Sequence, residues 1–164
     1  MSRLENIKSK IYTTGQIKAV LNIWRLLGKR VVFTNGCFDL LHLGHIDYLS
    51  KAADMGDKLV IGLNSDASAS ELKGPGRPIT DQLSRSLMLA SFSFVDAVVI
   101  FDEPTPLHLI ELVKPDILVK GADYSIEQIV GADVVLQYSG EVKTIEYLSG
   151  YSTTLIEKKI RSNS

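Results

Sequence analysis

The stretch from residue 31 to residue 48, VVFTNGCFDLLHLGHIDY, predicts a buried strand, a tight turn and the beginning of a helix. Residues 31–33 are a short β-branched and aromatic run, and Asn35-Gly36 is a turn signal. From Gly44 onward, apolar residues recur at helical spacing. The polar residues between the strand and the helix therefore lie in a connection.

Two histidines, His42 and His45, lie in this connection three positions apart, with Gly44 between them. At a helix entrance this spacing lets both imidazoles face one side, beside backbone N–H groups that have no partner within the helix and attract anions. The pair therefore indicates a phosphate site. The alternative, a metal site, needs further ligands, and the chain has only one more histidine, His108, and a single cysteine, Cys37. We expect no protein-held metal.

The composition fits one domain that acts on small molecules. A chain of 164 residues suffices for one core and is short for two domains, so we expect a single domain over residues 1–164. With 18 Lys+Arg against 19 Asp+Glu, the chain lacks the basic excess of a nucleic-acid-binding protein. It shows no membrane-length apolar run, no signal peptide and no cysteine pair, so a cytoplasmic location is the expectation.

Strands alternate with helices along residues 31–161, which we expect to form the catalytic core. Residues 1–30 are predicted to be a helical N-terminal extension, with Gly28 as the stop signal of its helix. The predicted strands are residues 31–33, 58–63, 95–101, 116–120 and 142–147. Because parallel neighbours need crossover connections, this alternation predicts a doubly wound, five-stranded parallel sheet in a Rossmann-like α/β/α sandwich. In such sheets ligands bind beyond the carboxyl ends of the strands.

We interpret residues 65–85, SDASASELKGPGRPITDQLSR, as the one irregular segment. Its centre, LKGPGRPI, is either a solvated linker or a mobile lid. Its place beyond the end of a strand favours a lid, on which Lys73 and Arg77 bind phosphate. A helix is predicted from about residue 81 to residue 92, with Thr80 as its N-cap. Arg85 on its first turns is either functional or an ordinary exposed arginine.

Two more polar segments follow predicted strands. KGADY places Asp123 beyond the fourth strand, and GYSTT, residues 150–154, opens the last helix. Ser152 or Thr153 would cap that helix without any ligand, and this is the alternative to a phosphate-binding role. The presence of HLGH in the same chain favours the phosphate-binding role.

These motifs together resemble the HxGH-type nucleotidyltransferases, the cytidylyltransferases and adenylyltransferases that join a nucleotide to a phosphorylated small molecule. The resemblance covers residues 31–160. It implies that His42 and His45 contact the triphosphate, that GYSTT holds the β- and γ-phosphates, and that Asp123 contacts the ribose. It implies catalysis by His42, His45 and Lys73, and substrate contacts by Asp39, Lys73 and Arg77. The implied nucleotide-binding residues are Asn35, Gly36, Cys37, Phe38, Gly44, Arg85, Gly121, Asp123, Tyr151, Ser152, Thr153 and Thr154.

TNGCFDLLHLGH, LKGPGRPI, LVKGADY and GYSTT resemble in particular the adenylyltransferase half of bacterial ADP-heptose synthases. The resemblance implies transfer of AMP from ATP, which carries Mg²⁺, to D-glycero-β-D-manno-heptose 1-phosphate for lipopolysaccharide core assembly. That half is often fused to a sugar kinase, and here the resemblance implies a stand-alone enzyme with the kinase on another chain. It also implies a homodimer, with neither nucleic acid nor a membrane as partner.

Two alternatives remain open. The acceptor pocket has no legible code, so glycerol 3-phosphate, FMN or phosphopantetheine is an alternative acceptor. Cytidylyltransferases often carry an arginine where Tyr147-Leu148-Ser149 stand, which disfavours cytidine. The other alternative is a catalytically silent nucleotide-binding module, against which the intact HLGH and STT argue.

Overall fold

A computed structural model describes residues 2–162, in which helices and strands alternate. The strands of this region are β1 (Ile11–Tyr12), β2 (Val31–Gly36), β3 (Lys58–Asn64), β4 (Ala97–Phe101), β5 (Ile117–Gly121) and β6 (Glu141–Ile145). Its α-helices are α1 (Arg3–Lys8), α2 (Thr14–Leu26), α3 (Leu43–Ala53), α4 (Asp66–Lys73), α5 (Gln82–Ser91), α6 (Leu107–Val113), α7 (Ala132–Gln137) and α8 (Thr153–Ser162). A short 3-10 helix, Ile126–Gln128, precedes α7.

The strands form one parallel sheet in the order β1-β4-β3-β2-β5-β6. β2 pairs with β3 over its whole length, from Val31 opposite Lys58 to Gly36 opposite Leu63. On its other side β2 pairs with β5. The chain therefore adds strands to one side of β2 and then to the other, which opens a crevice at the carboxyl ends of β2 and β5.

Helices cover both faces of this sheet. Successive side chains of a strand point to opposite faces, so each central strand contributes to an apolar cluster on both sides. Val31 and Phe33 belong to one apolar cluster, together with side chains of α2, α6 and α7. Val32 belongs to the other cluster, with side chains of α3 and α5. With both faces buried, the strands read as continuous apolar runs, as parallel strands do.

The structure confirms the predicted doubly wound parallel sheet and adds a sixth strand to the five predicted. The additional strand, β1, lies in the region predicted as a helical extension, where Ile11 and Tyr12 pair with β4. Two residues are too few for a periodic signal, and their partners are distant in sequence. Gly28 follows α2 with φ +66°, in agreement with the predicted stop.

Two local predictions are wrong. The segment interpreted as irregular begins with helix α4, whose Ser65 cap accepts a hydrogen bond from the N–H of Ser68. The N-cap of α5 is Asp81, whose carboxylate accepts from the N–H of Ser84 at 2.9 Å, and not Thr80. Aspartate and threonine are both good caps, so the sequence does not decide between neighbours. Within residues 2–162, none of the helices is both long and apolar enough to cross a membrane.

Candidate active site

The histidine turn, by which we mean residues 35–45, runs from the end of β2 into α3 at the crevice of the sheet. His42 is the N-cap of α3, with extended backbone angles of φ −142° and ψ 171°, and its side chain makes no capping hydrogen bond. The backbone oxygen of His42 accepts from the N–H of His45 at 2.9 Å. The first N–H groups of α3 keep no partner within the helix, so this end of the helix attracts an anion.

The two imidazoles of HLGH face the same side, as the sequence predicts. The rings of His42 and His45 stack with centroids 3.9 Å apart and an interplanar angle of 24°. The ring of Phe38 meets His45 edge to face at 5.4 Å. Phe38 has φ +46°, a left-handed conformation that is costly for a bulky residue. This conformation turns the chain sharply between β2 and the histidines.

Three buried polar atoms of this turn have no hydrogen-bond partner. They are Nδ1 of His42, Nδ1 of His45 and Oδ1 of Asn35. Leaving a buried polar atom unpaired costs about 1–3 kcal/mol. Unpaired buried atoms are uncommon in folded proteins, and three of them within one turn point to a role of this turn beyond packing.

The two imidazoles are neutral near pH 7. Burial, with a smaller contribution from His42, lowers the pKa of His45 to about 4. Burial also lowers the pKa of His42. A neutral imidazole carries one N–H donor and one acceptor nitrogen, so each ring offers a hydrogen bond without a formal charge.

Gly44 brings the beginning of α8 against the histidine turn. A Cβ atom at Gly44 would lie 3.0 Å from Nδ1 of His42 and 3.3 Å from the Cβ of Tyr151. The sequence motifs HLGH and GYSTT are therefore neighbours in space. Ser152 accepts the N–H of Leu155 at 3.1 Å, so the serine caps α8 as the alternative interpretation holds. Capping does not exclude an anion, because other N–H groups of the first turn remain free.

The carboxyl end of β5 forms the opposite wall of the crevice. A Cβ atom at Gly121 would clash with the hydroxyl oxygen of Tyr147, so glycine is required for the tyrosine to lie there. The ring of Tyr147 also lies 5.7 Å from the ring of Tyr48. Burial, together with Asp123 and Tyr124, raises the pKa of Tyr147 to about 12. Asp123 itself is exposed at the rim of this wall.

Lys120 lies beside the histidine turn and was not singled out by sequence reasoning. Its ammonium donates to the backbone oxygen of Asn35 at 3.3 Å and lies 5.7 Å from the ring centroid of Tyr124. Burial lowers the pKa of Lys120, although Asp123 opposes this. A single charged residue near the end of a buried strand was the available signal, since such a charge needs a partner.

Arg85 is fully buried, with its guanidinium held by the protein. It donates to the backbone oxygens of Thr80 at 2.9 Å, Cys37 at 2.6 Å and Asn64 at 2.8 Å, and to the carboxylate of Asp66 at 2.7 Å. Four of its five N–H donors are thus engaged. This geometry favours a role in tying the ends of β2 and β3 together over the direct nucleotide contact that the sequence predicts.

The loop of residues 74–80, which contains Arg77, is fastened to Asp39. The carboxylate of Asp39 accepts from the N–H of Ile79 at 2.8 Å, the N–H of Thr80 at 2.9 Å and the Arg77 guanidinium at 2.9 Å. Burial would raise the pKa of Asp39, but these donors together hold it below its usual value. Arg77 also pairs with Glu157 of α8. Both side chains are paired here with protein groups, and the substrate contacts of Asp39 and Arg77 stay predictions.

Lys73 and Cys37 border the same crevice. Lys73 is the last residue of α4 and is exposed. Burial raises the pKa of the Cys37 thiol, against the opposing effects of Lys73 and Arg85. A protonated thiol is a poor nucleophile, which favours a contribution of Cys37 through its backbone. Across residues 2–162, no group of three or more His, Cys, Asp and Glu side chains converges as metal ligands.

The sequence matches the cytidylyltransferase-like family over residues 33–159. The chain belongs to this family. The prediction of an HxGH-type nucleotidyltransferase is thereby confirmed at the level of the family.

The chain is similar to two curated bacterial proteins. It is 54% identical over 152 residues to the bifunctional protein HldE of Syntrophotalea carbinolica, which covers 93% of this chain and 31% of the relative. It is 53% identical over 163 residues to HldE of Campylobacter fetus subsp. fetus, covering 96% of this chain and 34% of the relative. The chain thus spans about a third of the length of these relatives.

Two solved structures share the fold. The lipopolysaccharide core biosynthesis protein from Thermoplasma volcanium is 30% identical, with a TM-score of 0.60 and coverage of 76% of this chain and 100% of that chain. The pantoate-beta-alanine ligase from Francisella tularensis is 16% identical, with a TM-score of 0.61 and coverage of 92% of this chain and 76% of that chain. The second similarity concerns the fold alone.

Proposed function

We propose that the protein transfers AMP from ATP to D-glycero-β-D-manno-heptose 1-phosphate, giving ADP-heptose and pyrophosphate for lipopolysaccharide core biosynthesis. The family, the relatives named HldE and the similarity to a lipopolysaccharide core biosynthesis protein support this activity. Its acceptor and its nucleotide rest on the motifs TNGCFDLLHLGH, LKGPGRPI, LVKGADY and GYSTT.

The observation that carries the proposal is the pair of stacked imidazoles of His42 and His45 beside the free end of α3. A triphosphate bound there would accept hydrogen bonds from the Nε2–H groups of the two rings and from the first N–H groups of the helix.

The chemistry needs no covalent intermediate. An oxygen of the sugar phosphate attacks the α-phosphorus of ATP, the bond from this phosphorus to the bridging oxygen breaks, and pyrophosphate leaves with that electron pair. The attacking phosphate is already ionised, so no base has to remove a proton. Neutral imidazoles suffice, since their task is to stabilise the negative charge that spreads over the oxygens of the α-phosphate.

The surrounding residues take complementary roles in this proposal. The entrance of α8, with Ser152, Thr153 and Thr154, would hold the β- and γ-phosphates. Lys73 would reach the reacting phosphates from the end of α4, and Asp123 would contact the ribose. ATP would enter as its Mg²⁺ complex, so that the metal belongs to the substrate.

We further propose that the enzyme works in the cytoplasm as a homodimer, on small molecules and without a nucleic-acid partner. The near balance of 18 basic and 19 acidic residues supports the last point. Sedimentation velocity at micromolar concentration would test the dimer.

Pyrophosphate release tests the proposed function. ATP and CTP are each offered with heptose 1-phosphate, glycerol 3-phosphate, FMN and phosphopantetheine, and the His45→Ala variant serves as the inactive control. We expect release with ATP and heptose 1-phosphate, and ADP-heptose as the product by mass spectrometry. Release with CTP or with another acceptor alone would replace the proposed substrates. Nucleotide binding without release for any acceptor would identify a silent binding module.

A further inference from the structure

Helix α8 carries the proposed phosphate-binding entrance, but the apolar core does not hold it. None of its residues, Thr153–Ser162, is buried. Of its apolar residues, Leu155 is 48% exposed and Ile156 is only partly buried. A helix of ten residues with so little buried surface needs another attachment to keep its first turn beside the histidines.

Arg77 supplies such an attachment. Its guanidinium donates to the carboxylate of Glu157, one turn into α8, and with its other terminal nitrogen to Asp39 at 2.9 Å. The three side chains are largely shielded, at 23% exposure for Arg77, 22% for Glu157 and 11% for Asp39. Ion pairs at this degree of shielding are screened less by salt than fully exposed pairs.

Asp39 fixes the other end of this bridge. It follows the histidine turn's Phe38 directly and also accepts the N–H groups of Ile79 and Thr80. The chain of contacts therefore joins the histidine turn, the loop of residues 74–80 and α8, three segments that are far apart in sequence.

We propose that Glu157 is a positioning residue, which through Arg77 holds the entrance of α8 and the loop of residues 74–80 in one arrangement around the nucleotide triphosphate. This inference rests on the proposed function for its ligand. Glu157 touches no phosphate in this scheme. Its carboxylate acts by fixing Arg77, so that Ser152 on one side and Lys73 on the other address the same substrate.

The sign of one substitution separates this proposal from its nearest rival. If Arg77 instead bound the substrate phosphates and Glu157 merely competed for it, Glu157→Gln would free the arginine and lower the KM for ATP. In the positioning scheme the same variant loosens α8 and raises the KM for ATP, by roughly threefold to tenfold for a partly shielded ion pair. Glu157→Asp, which keeps the charge, should recover part of the loss.

A double-mutant cycle gives the matching thermodynamic test. Because Glu157 acts only through Arg77, Glu157→Ala should change the KM for ATP little in a background that already carries Arg77→Ala. Lys158→Ala, an exposed neighbour on the same helix, is the control and should leave the KM unchanged. Additive effects of Arg77→Ala and Glu157→Ala would overturn the proposal.

Amide hydrogen exchange tests the coupling without any substrate. In Arg77→Ala we expect faster exchange in residues 153–162, although the substitution lies in a different segment, and no such change in Lys158→Ala. Unchanged exchange in Arg77→Ala would overturn the attachment itself. Because this measurement needs no turnover, it stays decisive even if pyrophosphate release shows the proposed substrates to be wrong. Far-UV circular dichroism melts of each variant confirm that the fold is retained.

Discussion

The histidine turn and the loop of residues 74–80 both contribute to the carboxyl edge of the sheet, but they treat their polar groups in opposite ways. The turn buries Nδ1 of His42 and Nδ1 of His45 without partners. The loop pairs its arginine, Arg77, with two carboxylates of the protein. The imidazoles of the turn are thus not bound to protein groups of residues 2–162, whereas the paired charges of the loop hold neighbouring segments together.

The largest effect should come from removing Arg85, whose hydrogen bonds join the histidine turn to the loop of residues 74–80. Arg85→Met leaves the backbone oxygens of Cys37, Asn64 and Thr80 without their donor, so we expect the free energy of unfolding to fall by about 3–5 kcal/mol. Urea denaturation measures it, with the exposed Arg161→Met as control. A loss below about 1 kcal/mol would show that the bonds of Arg85 are dispensable.

Substitutions in the histidine turn should change enzymatic activity more than stability. His45→Ala removes one donor to the developing charge, and we expect kcat/KM to fall by about 10²–10³. Its thermal stability should stay the same or rise, because an unpaired buried atom is lost with the side chain. His108→Ala, on the exposed side of α6, is the control. Near-normal turnover of folded His45→Ala would remove the histidine turn from the chemistry.

The neutrality of His45 predicts how stability depends on pH. Its pKa of about 4 lies below the ordinary value of 6.5, so the unfolded chain binds more protons between these values. The free energy of unfolding is therefore highest above pH 6.5 and falls, as the pH is lowered towards 4, by about 2–3 kcal/mol after allowance for partial exposure. Urea denaturation from pH 7 to pH 4 should show a shallower loss for His45→Gln than for the wild type.

Lys73 should give the smallest of these effects. It is exposed, and it forms none of the ion pairs described within residues 2–162. Its ammonium group is therefore available to the substrate. Lys73→Ala should lower kcat by about tenfold and weaken ATP binding less, because the lysine acts mainly in the transition state. Steady-state rates and calorimetry measure the two, with the exposed Lys18→Ala as control. An unchanged kcat would remove Lys73 from the chemistry.

The sequence predicts the histidine turn because its signals are local. An apolar run, Asn35-Gly36 and a helical repeat follow one another within residues 31–48, and the fold around them is the one predicted. Helix α4 escapes the same reasoning because SDASASELK has no apolar stripe. Strand β1 escapes it because two residues show no period.

The contacts of Arg85 and Arg77 could not be predicted in this way. Burial of Arg85 contradicts the usual exposure of arginine, and only its partners at the ends of β2 and β3 explain it. The bridge of Arg77 joins Asp39 and Glu157, which are distant from it along the chain in opposite directions. No local pattern encodes such contacts. They exist because the fold brings three segments together.

The central claim is that the ring nitrogens of His42 and His45 bind the nucleotide triphosphate. Nuclear magnetic resonance of protein labelled with ¹⁵N-histidine, titrated with a non-hydrolysable ATP analogue and Mg²⁺, observes these nitrogens directly. His108, exposed on α6, is the internal control. We predict that the ring nitrogens of His42 and His45 shift together and saturably, while those of His108 stay unchanged. Saturable binding of the analogue, measured by calorimetry on the same sample, without a shift of either histidine would contradict the claim.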